Sequence, residues 1–229
     1  VLPKISCSAT KSSSVGEYPI TVSEGTSRNY EIMAYESGIL TISKATVVLT
    51  PINKSRLYFE ENPQFDFTLS GLRNGDSKSC LSVLPQYVCD ANKLSNVGTY
   101  PIFVSNAQAT NYNFEYGQGL LTVNPQQLIA SIGNYSRPYG TDNPVFEISY
   151  NGFVNNEDES VLTQPSLASC SASKSSDVGT YSISISGGEA INYIISKYNS
   201  GSLIIEKANQ TITWDQDLSN IELYAQVEL

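Results

Sequence analysis

The stretch Val97-Gly98-Thr99-Tyr100-Pro101-Ile102 decides how the chain is built, because it occurs three times. It matches Val15-Gly16-Glu17-Tyr18-Pro19-Ile20 upstream and Val178-Gly179-Thr180-Tyr181-Ser182-Ile183 downstream. Gly98 lies 82 residues after Gly16 (98 − 16), and Gly179 lies 81 residues after Gly98 (179 − 98). Self-similarity at one fixed period is the signature of a tandem-repeat protein.

Further signatures keep this register and set the predicted boundaries. They are the Asn-Tyr pairs at Asn29, Asn111 and Asn192, the closing strands after Gly38, Gly119 and Gly201, the Arg-x-Tyr segments at Arg56 and Arg137, and the Asn-Pro pairs at Asn62 and Asn143. We predict the C-terminal half of a truncated repeat at 1–43, complete repeats at 44–124 and 125–207, and the start of a further, truncated module at 208–229. The first three are called the first, second and third repeats below.

The composition excludes several classes of function. The 229 residues include no histidine, which removes imidazole catalysis and histidine-ligated zinc. A net charge of −9 argues against nucleic acid as a partner. No apolar run approaches the roughly 18 residues of a membrane span. We therefore expect no enzyme, no cofactor, no nucleic-acid partner and no membrane span.

The hydrophobic pattern predicts a mainly β fold. Apolar side chains alternate with period two, as in strands, at Val48, Thr50 and Ile52 and at Leu128, Ala130 and Ile132. Residues 156–162 predict a short helix with Asn156 as its N-cap. The order of two strands, a helix and three strands is that of a β-grasp, in which one helix packs across a mixed sheet. An immunoglobulin-like sandwich is the alternative, although about 80 residues is short for it.

The joints between repeats favour an elongated array. Ser43-Lys44-Ala45-Thr46 contains no flexible linker, so one repeat runs almost directly into the next. We expect tandem β-grasp-like modules, each with a mixed sheet and one short helix, arranged as a semi-rigid rod.

Together these motifs resemble the bacterial MBG domain of the Tyr-Gly type over residues 1–207. The Tyr-Gly pair is kept at Tyr139-Gly140 and reads Tyr58-Phe59 in the second repeat. The resemblance implies modules of large secreted or outer-surface bacterial proteins with a β-grasp-like fold. It carries no catalytic residue to this chain.

The signature residues are expected to be structural, because the same residue recurs where the fold repeats. They are Gly16, Tyr18, Tyr58, Gly98, Tyr100, Tyr139, Gly140, Gly179 and Tyr181. Tyr35, Tyr116 and Tyr198 are the candidates for an exposed ligand contact. The acidic run Glu157-Asp158-Glu159 could bind calcium, but it lacks alternating ligand spacing, so a solvated helix start is favoured.

Three cysteines, Cys7, Cys89 and Cys170, occupy one register position and are expected to be small buried side chains. Equivalent points in successive modules lie too far apart for a disulfide. Cys80 has no counterpart and lies on the predicted helix, nine residues before Cys89 (89 − 80). A Cys80–Cys89 disulfide and two reduced buried thiols are the alternatives.

These observations favour a stalk or spacer that projects another domain from a bacterial cell surface. The alternative is an adhesin that binds a host glycan or protein, which predicts an exposed apolar patch on every repeat. Neighbouring repeats of the same polypeptide are the expected partners. The truncated ends are expected to self-associate end to end, with Trp214 in the contact.

Overall fold

The computed structural model describes residues 1–213. Trp214 and the strand-like segment 223–225 lie outside the described residues, and so does the predicted contact of Trp214. Residues 211–213 are exposed and form no strand. No helix among the described residues is long and apolar enough to cross a membrane.

The chain forms two compact units. The first comprises Val1–Gln127, Gly152–Val161 and Ala190–Ile194, and the second comprises Leu128–Asn151, Leu162–Glu189 and, among the described residues, 195–213. The strands of the first two repeats are β1 Lys4–Cys7, β2 Gly16–Ser23, β3 Gly38–Ile42, β4 Ala45–Pro51, β5 Lys54–Leu57, β6 Phe67–Ser70, β7 Leu81–Val83, β8 Gln86–Val88, β9 Gly98–Ser105, β10 Gln108–Ala109, β11 Tyr112–Tyr116 and β12 Gly119–Asn124. Those of the third repeat are β13 Gln126–Ile132, β14 Tyr135–Pro138, β15 Ile148–Asn151, β16 Leu162–Cys170, β17 Gly179–Ala190, β18 Tyr193–Asn199 and β19 Gly201–Glu206.

The second and third repeats have the same strand order. In the second, one sheet runs β5-β12-β9-β8 and another runs β11-β4-β6. In the third, the equivalent sheets run β14-β19-β17-β16 and β18-β13-β15. Both four-stranded sheets are mixed, because β5 pairs parallel to β12 and β14 pairs parallel to β19. The matched order is what a tandem repeat requires.

Local sequence explains these strands. In β13, Leu128, Ala130 and Ile132 are buried and alternate with less buried neighbours, as the period-two pattern predicts. In β4 the buried face carries Val47 and Leu49, whereas the predicted alternating set includes the exposed Val48. Apolar residues stand on both faces of β4, so alternation alone did not identify its core face.

The core of each complete repeat joins side chains from its two main sheets. In the second repeat, Leu49 and Phe67 of one sheet pack with Val104 of the other. In the third, Ala130 and Ile132 pack with Ile183, Ile185, Leu203 and Ile205.

The first repeat differs because it has a single three-stranded sheet, β1-β2-β3. Leu40 on β3 is 41 % exposed, whereas its counterpart Leu121 on β12 is 0 % exposed. Among the described residues, β3 pairs only with β2, while β12 has β9 and β5 as neighbours.

The prediction of a short helix at residues 156–162 is wrong, because this segment forms only a 3₁₀ turn. The structure has one 3₁₀ turn in each complete repeat, Lys78–Cys80 and Glu159–Val161. Asn155 and Asn156 adopt left-handed φ angles of 59° and 57°, so Asn156 is no N-cap. Asp158 accepts a hydrogen bond from the Ser160 N–H at 2.9 Å and takes that role. The fold is mainly β, as predicted, and both the β-grasp-like and the immunoglobulin-like interpretation stay predictions.

The linkers between successive repeats are very short. Only Pro125 separates the end of β12 from the start of β13, and two residues, Ser43 and Lys44, separate β3 from β4. The prediction that successive repeats run directly into one another is confirmed.

Candidate functional site: a tyrosine–carboxylate joint

The signature tyrosine of each Val-Gly-x-Tyr segment closes a turn in its own repeat. The hydroxyl of Tyr100 donates to the carbonyl of Asn96 at 2.8 Å, four residues earlier and across the signature glycine Gly98. A hydroxyl that satisfies a turn carbonyl fixes the entry to the following strand. The equivalent pairs are Tyr18 with Ser14 (2.9 Å, across Gly16) and Tyr181 with Asp177 (3.0 Å, across Gly179).

In the second and third repeats, the asparagine of the Asn-Tyr pair binds the turn of the preceding repeat. Asn192 Oδ1 accepts from the Val97 N–H at 3.0 Å, and its Nδ2 donates to Asn96 Oδ1 at 2.9 Å. Asn111 Oδ1 accepts from the Val15 N–H at 3.0 Å in the same way. All these residues belong to the first compact unit. The sequence identifies these asparagines as recurrent, and the structure shows that they join repeats.

In the second and third repeats, the tyrosine of the Asn-Tyr pair donates to a carboxylate. The buried Tyr193 hydroxyl lies 2.5 Å from Glu157 Oε2 and accepts from the Val154 N–H at 3.2 Å. Tyr112 has the same arrangement, with Asp76 Oδ2 at 2.6 Å and the Arg73 N–H at 3.1 Å. The carboxylate position is thus acidic in both complete repeats, with an aspartate at 76 and a glutamate at 157.

Glu157 lies at the centre of the contact between the second and third repeats. Its Oε1 accepts from the Tyr58 hydroxyl at 2.8 Å, so one carboxylate binds a tyrosine of the second repeat and Tyr193 of the third. The two rings pack edge to face with centroids 5.7 Å apart. Tyr58 is only 4 % exposed. The tyrosine–carboxylate joint is defined here as Tyr58, Glu157, Asn192 and Tyr193.

The electrostatics favour a charged carboxylate between neutral phenols. Burial disfavours ionisation of Glu157, but hydrogen bonds from Tyr193, Tyr58 and Asn155 outweigh it and lower its pKa below the ordinary value. Burial first, and then the hydrogen bond to Glu157, raises the pKa of Tyr193 and that of Tyr58. Both hydroxyls therefore stay protonated donors at neutral pH.

The acidic run is divided between structural roles. Glu157 lies in the joint and Asp158 caps the 3₁₀ turn. Residues 1–213 contain no group of three or more acidic, cysteine or histidine side chains arranged to hold a metal ion. The arrangement of Glu157 and Asp158 is suited to holding protein groups in place.

A buried arginine explains the Arg-x-Tyr and Asn-Pro motifs. Arg137 Nε donates to Asn143 Oδ1 at 2.7 Å, and its Nη2 donates to the Ser173 carbonyl at 2.6 Å. Asn143 Nδ2 donates onward to the Ala172 carbonyl at 2.7 Å. Arg56 makes equivalent contacts with Asn62, the Leu57 carbonyl and the Asn92 carbonyl. The two motifs form a clip between distant loops, a role that the sequence alone did not suggest.

The tyrosines proposed for ligand contact are bonded to nearby backbone. Tyr35 donates to the Gly25 carbonyl at 3.0 Å, and Tyr198 donates to the Gly187 carbonyl at 2.8 Å. The Tyr116 hydroxyl accepts from the Ala107 N–H at 3.0 Å. Their rings are partly exposed, but each hydroxyl is already used to hold a loop.

The Tyr-Gly pair itself is exposed in the third repeat. Tyr139 is 45 % exposed, and Gly140 has a φ of 81°, a conformation that favours glycine. Phe59 occupies the glycine position of the second repeat with a φ of 65°, and Lys93 Nζ lies 4.3 Å from its ring centroid.

The cysteines are thiols in this structure. Cys89 and Cys170 are half-buried rather than buried as expected, and Cys7 is exposed because its repeat has only one sheet. Cys80 packs beside Val47 and Tyr112, and burial raises the pKa of its thiol. A Cys80–Cys89 disulfide stays a prediction that intact mass before and after reduction would test.

The repeated strand order and the recurring asparagine contacts between repeats define a tandem array of small β modules. The sequence profile of the MBG domain, YGX type, matches residues 1–41, 47–122 and 128–204, and the chain belongs to this family. A comparison of this chain with curated proteins finds no match.

Proposed function

We propose that this chain is a non-catalytic stalk or spacer region of a bacterial surface or secreted protein. The observation that carries the proposal is the recurrence of the joint contacts. Asn192 binds the turn of the repeat before it as Asn111 does, and Glu157 also accepts from Tyr58 of the second repeat. Side chains that recur between repeats are thus used to hold the array together, which is what a spacer requires.

The surface of β8 and β9 supports the same proposal. In the second repeat, Val88 and Phe103 form an exposed apolar pair across these strands. The equivalent positions are serine in the third repeat (Ser169 and Ser184) and Ser6 and Thr21 in the first. An adhesin built from equal repeats would present the apolar pair on each of them.

Membership of the MBG family supports the location. Such repeats are typical of extracellular and cell-surface proteins.

Small-angle scattering tests the stalk. A single 229-residue globule has an expected radius of gyration of about 17–18 Å. We expect a clearly larger value and a distance distribution with an extended tail. A value near the globular one would overturn the stalk.

The adhesin alternative has one observation in its favour, the exposed Val88–Phe103 pair of the second repeat. Binding to panels of host glycans and matrix proteins, lost in Phe103→Ser, would establish it. No binding at all leaves the stalk as the better account, and binding that survives this change would assign adhesion to a different surface.

A further inference from the structure

The second repeat offers three polar groups to the third repeat at the joint. The Tyr58 hydroxyl donates to Glu157 at 2.8 Å, and the Val97 N–H donates to Asn192 Oδ1 at 3.0 Å. Asn96 Oδ1 accepts from Asn192 Nδ2 at 2.9 Å. Two donors and one acceptor on one side therefore meet two acceptors and one donor on the other.

The third repeat carries the same three groups at its own end. Tyr139, Val178 and Asp177 are the counterparts of Tyr58, Val97 and Asn96. All three belong to the second compact unit. Asp177 keeps an acceptor oxygen where the second repeat has the asparagine oxygen.

Two of these groups are more exposed than their counterparts, Tyr139 than Tyr58 and Val178 than the half-buried Val97, whereas Asp177 and Asn96 are both exposed. Tyr139 is 45 % exposed and Tyr58 is 4 % exposed, while Val178 is 50 % exposed. Within residues 1–213, no group makes a hydrogen bond with the Tyr139 hydroxyl. Among the residues that the structure describes, the third repeat thus presents the donor side of a joint without the acceptor side.

We infer that Tyr139, Asp177 and Val178 form a docking face for a further YGX-type repeat. The chemistry specifies the occupant. It must bring an asparagine before its own tyrosine, because Asp177 would repel an aspartate there. It must also bring a glutamate at the position equivalent to Glu157, which has the reach to accept from two tyrosines at once.

This inference gives the family's tyrosine motif a role, since the tyrosine of the Tyr-Gly pair is the donor of one repeat to the next. It does not depend on the stalk, because an adhesin array would need the same joint. Failure of the docking face would therefore leave the proposed function untouched, and the reverse also holds.

The test compares the natural chain with an extended chain. The extended chain consists of residues 1–206 followed directly by a second copy of residues 125–207, so that Pro125 of the copy takes the place of Lys207. Amide hydrogen exchange is followed at Val178, with Val97 as the internal reference for a formed joint. We expect exchange at Val178 to slow by about tenfold or more in the extended chain, towards the rate at Val97.

Two variants of the extended chain show which contacts are responsible. Replacing the asparagine at the position of Asn192 by alanine in the appended copy should return Val178 to its rate in the natural chain. Tyr139→Phe should weaken the protection in the extended chain and leave the natural chain unchanged. Tyr198→Phe, which removes a hydroxyl bonded to the Gly187 carbonyl, is the matched control and should leave the exchange of Val178 unchanged in both chains.

Three results would overturn the inference. The first is an unchanged rate at Val178 while the strands of the appended copy are themselves protected. The second is a rate at Val178 in the natural chain that already equals the rate at Val97. The third is failure of the appended copy to fold both in this chain and in a second version that appends residues 44–124 with Asp76→Glu, because a face built for a repeat should let one fold there.

Discussion

The hydroxyl of Tyr58 lies 2.8 Å from Oε1 of Glu157, although 99 positions separate the two residues in the sequence. Tyr193 holds the other oxygen of the same carboxylate at 2.5 Å. A charged acceptor shared by two buried phenols is stronger than a neutral one. If the carboxylate is lost, the two hydroxyls compete for a single amide oxygen.

Glu157→Gln should therefore destabilise the first compact unit by about 1–3 kcal/mol. Urea unfolding gives this value, and a double-mutant cycle with Tyr58→Phe should give a coupling of about 0.5 kcal/mol or more. Glu115→Gln changes the charge equally at an exposed position and should stay within about 0.5 kcal/mol. Additive effects of the two joint substitutions would contradict the shared hydrogen bond.

The same carboxylate predicts a dependence on acid. The folded state lowers the pKa of Glu157 from its ordinary value of 4.5, so the stability it adds is fully present above that value. This stability is lost as the pH falls through the lower, folded pKa. Stability measured from pH 7 to pH 2 should fall more steeply in the natural chain than in Glu157→Gln. Parallel curves would show that Glu157 ionises equally in the folded and unfolded chain.

The raised pKa of Tyr193 predicts that the folded state loses stability at alkaline pH. Because the folded state raises the pKa of Tyr193 above 10.0, the stability from this group is complete below pH 10 and is lost as the pH rises above it. Unfolding at pH 8 to 11 should show this loss in the natural chain, and Tyr193→Phe should reduce it, leaving the part due to Tyr58, whose pKa is also raised. An equal decline in both chains would assign it to other groups.

Period-two alternation predicted the strands because each complete repeat buries one face of each sheet. It could not place the buried face of β4, where Val47 and Val48 are equally apolar but lie on opposite faces. It also could not predict that residues 156–162 form only a 3₁₀ turn. The left-handed φ angles of Asn155 and Asn156 stop a helix from starting, and asparagine tolerates that conformation better than most residues.

The sequence identified the recurring residues of the candidate site but not their hydrogen-bond partners. Recurrence marked Asn192, Tyr193 and Tyr58 as important, since each has a counterpart one period away. Their bonding partners were hidden because hydrogen bonds such as Tyr58 to Glu157 join residues far apart in the chain. The Arg137 clip was hidden for the same reason, since Ser173 lies 36 residues from the arginine.

Two equivalent leucines should differ in how much their truncation to alanine destabilises the protein, because only one of them is buried. Leu121 is 0 % exposed in the second repeat, whereas Leu40 is 41 % exposed in the first. Leu121→Ala should cost about 2–5 kcal/mol of unfolding free energy. Leu40→Ala should cost less than about 1 kcal/mol, because it leaves no cavity. Equal losses in urea unfolding would mean that the first repeat is covered in solution.

Backbone conformation should separate two glycines of the third repeat. A Cβ at Gly140 or at Gly133 would meet no atom within 4 Å, but only Gly140 has a left-handed φ, at 81°. Gly140→Ala should therefore destabilise the second compact unit by about 1–2 kcal/mol, the cost of a Cβ in that conformation. Gly133→Ala is the control and should be neutral or slightly stabilising. Thermal unfolding that shifts equally in the two variants would contradict this account.

The exposed sheet of the first repeat should make the chain associate as its concentration rises. Ile39, Leu40 and Ile5 are exposed on β3 and β1, and among the described residues β3 has a neighbour on one side only. An open strand edge beside apolar side chains is a template for pairing with another chain. Sedimentation velocity over a wide concentration range should show reversible growth, and Ile39→Lys should reduce it by placing a charge on that edge. Val88→Lys places the same charge on an exposed residue of the second repeat and should leave association unchanged. A strict monomer at every concentration, or equal loss of association in both variants, would show that β3 is not the contact.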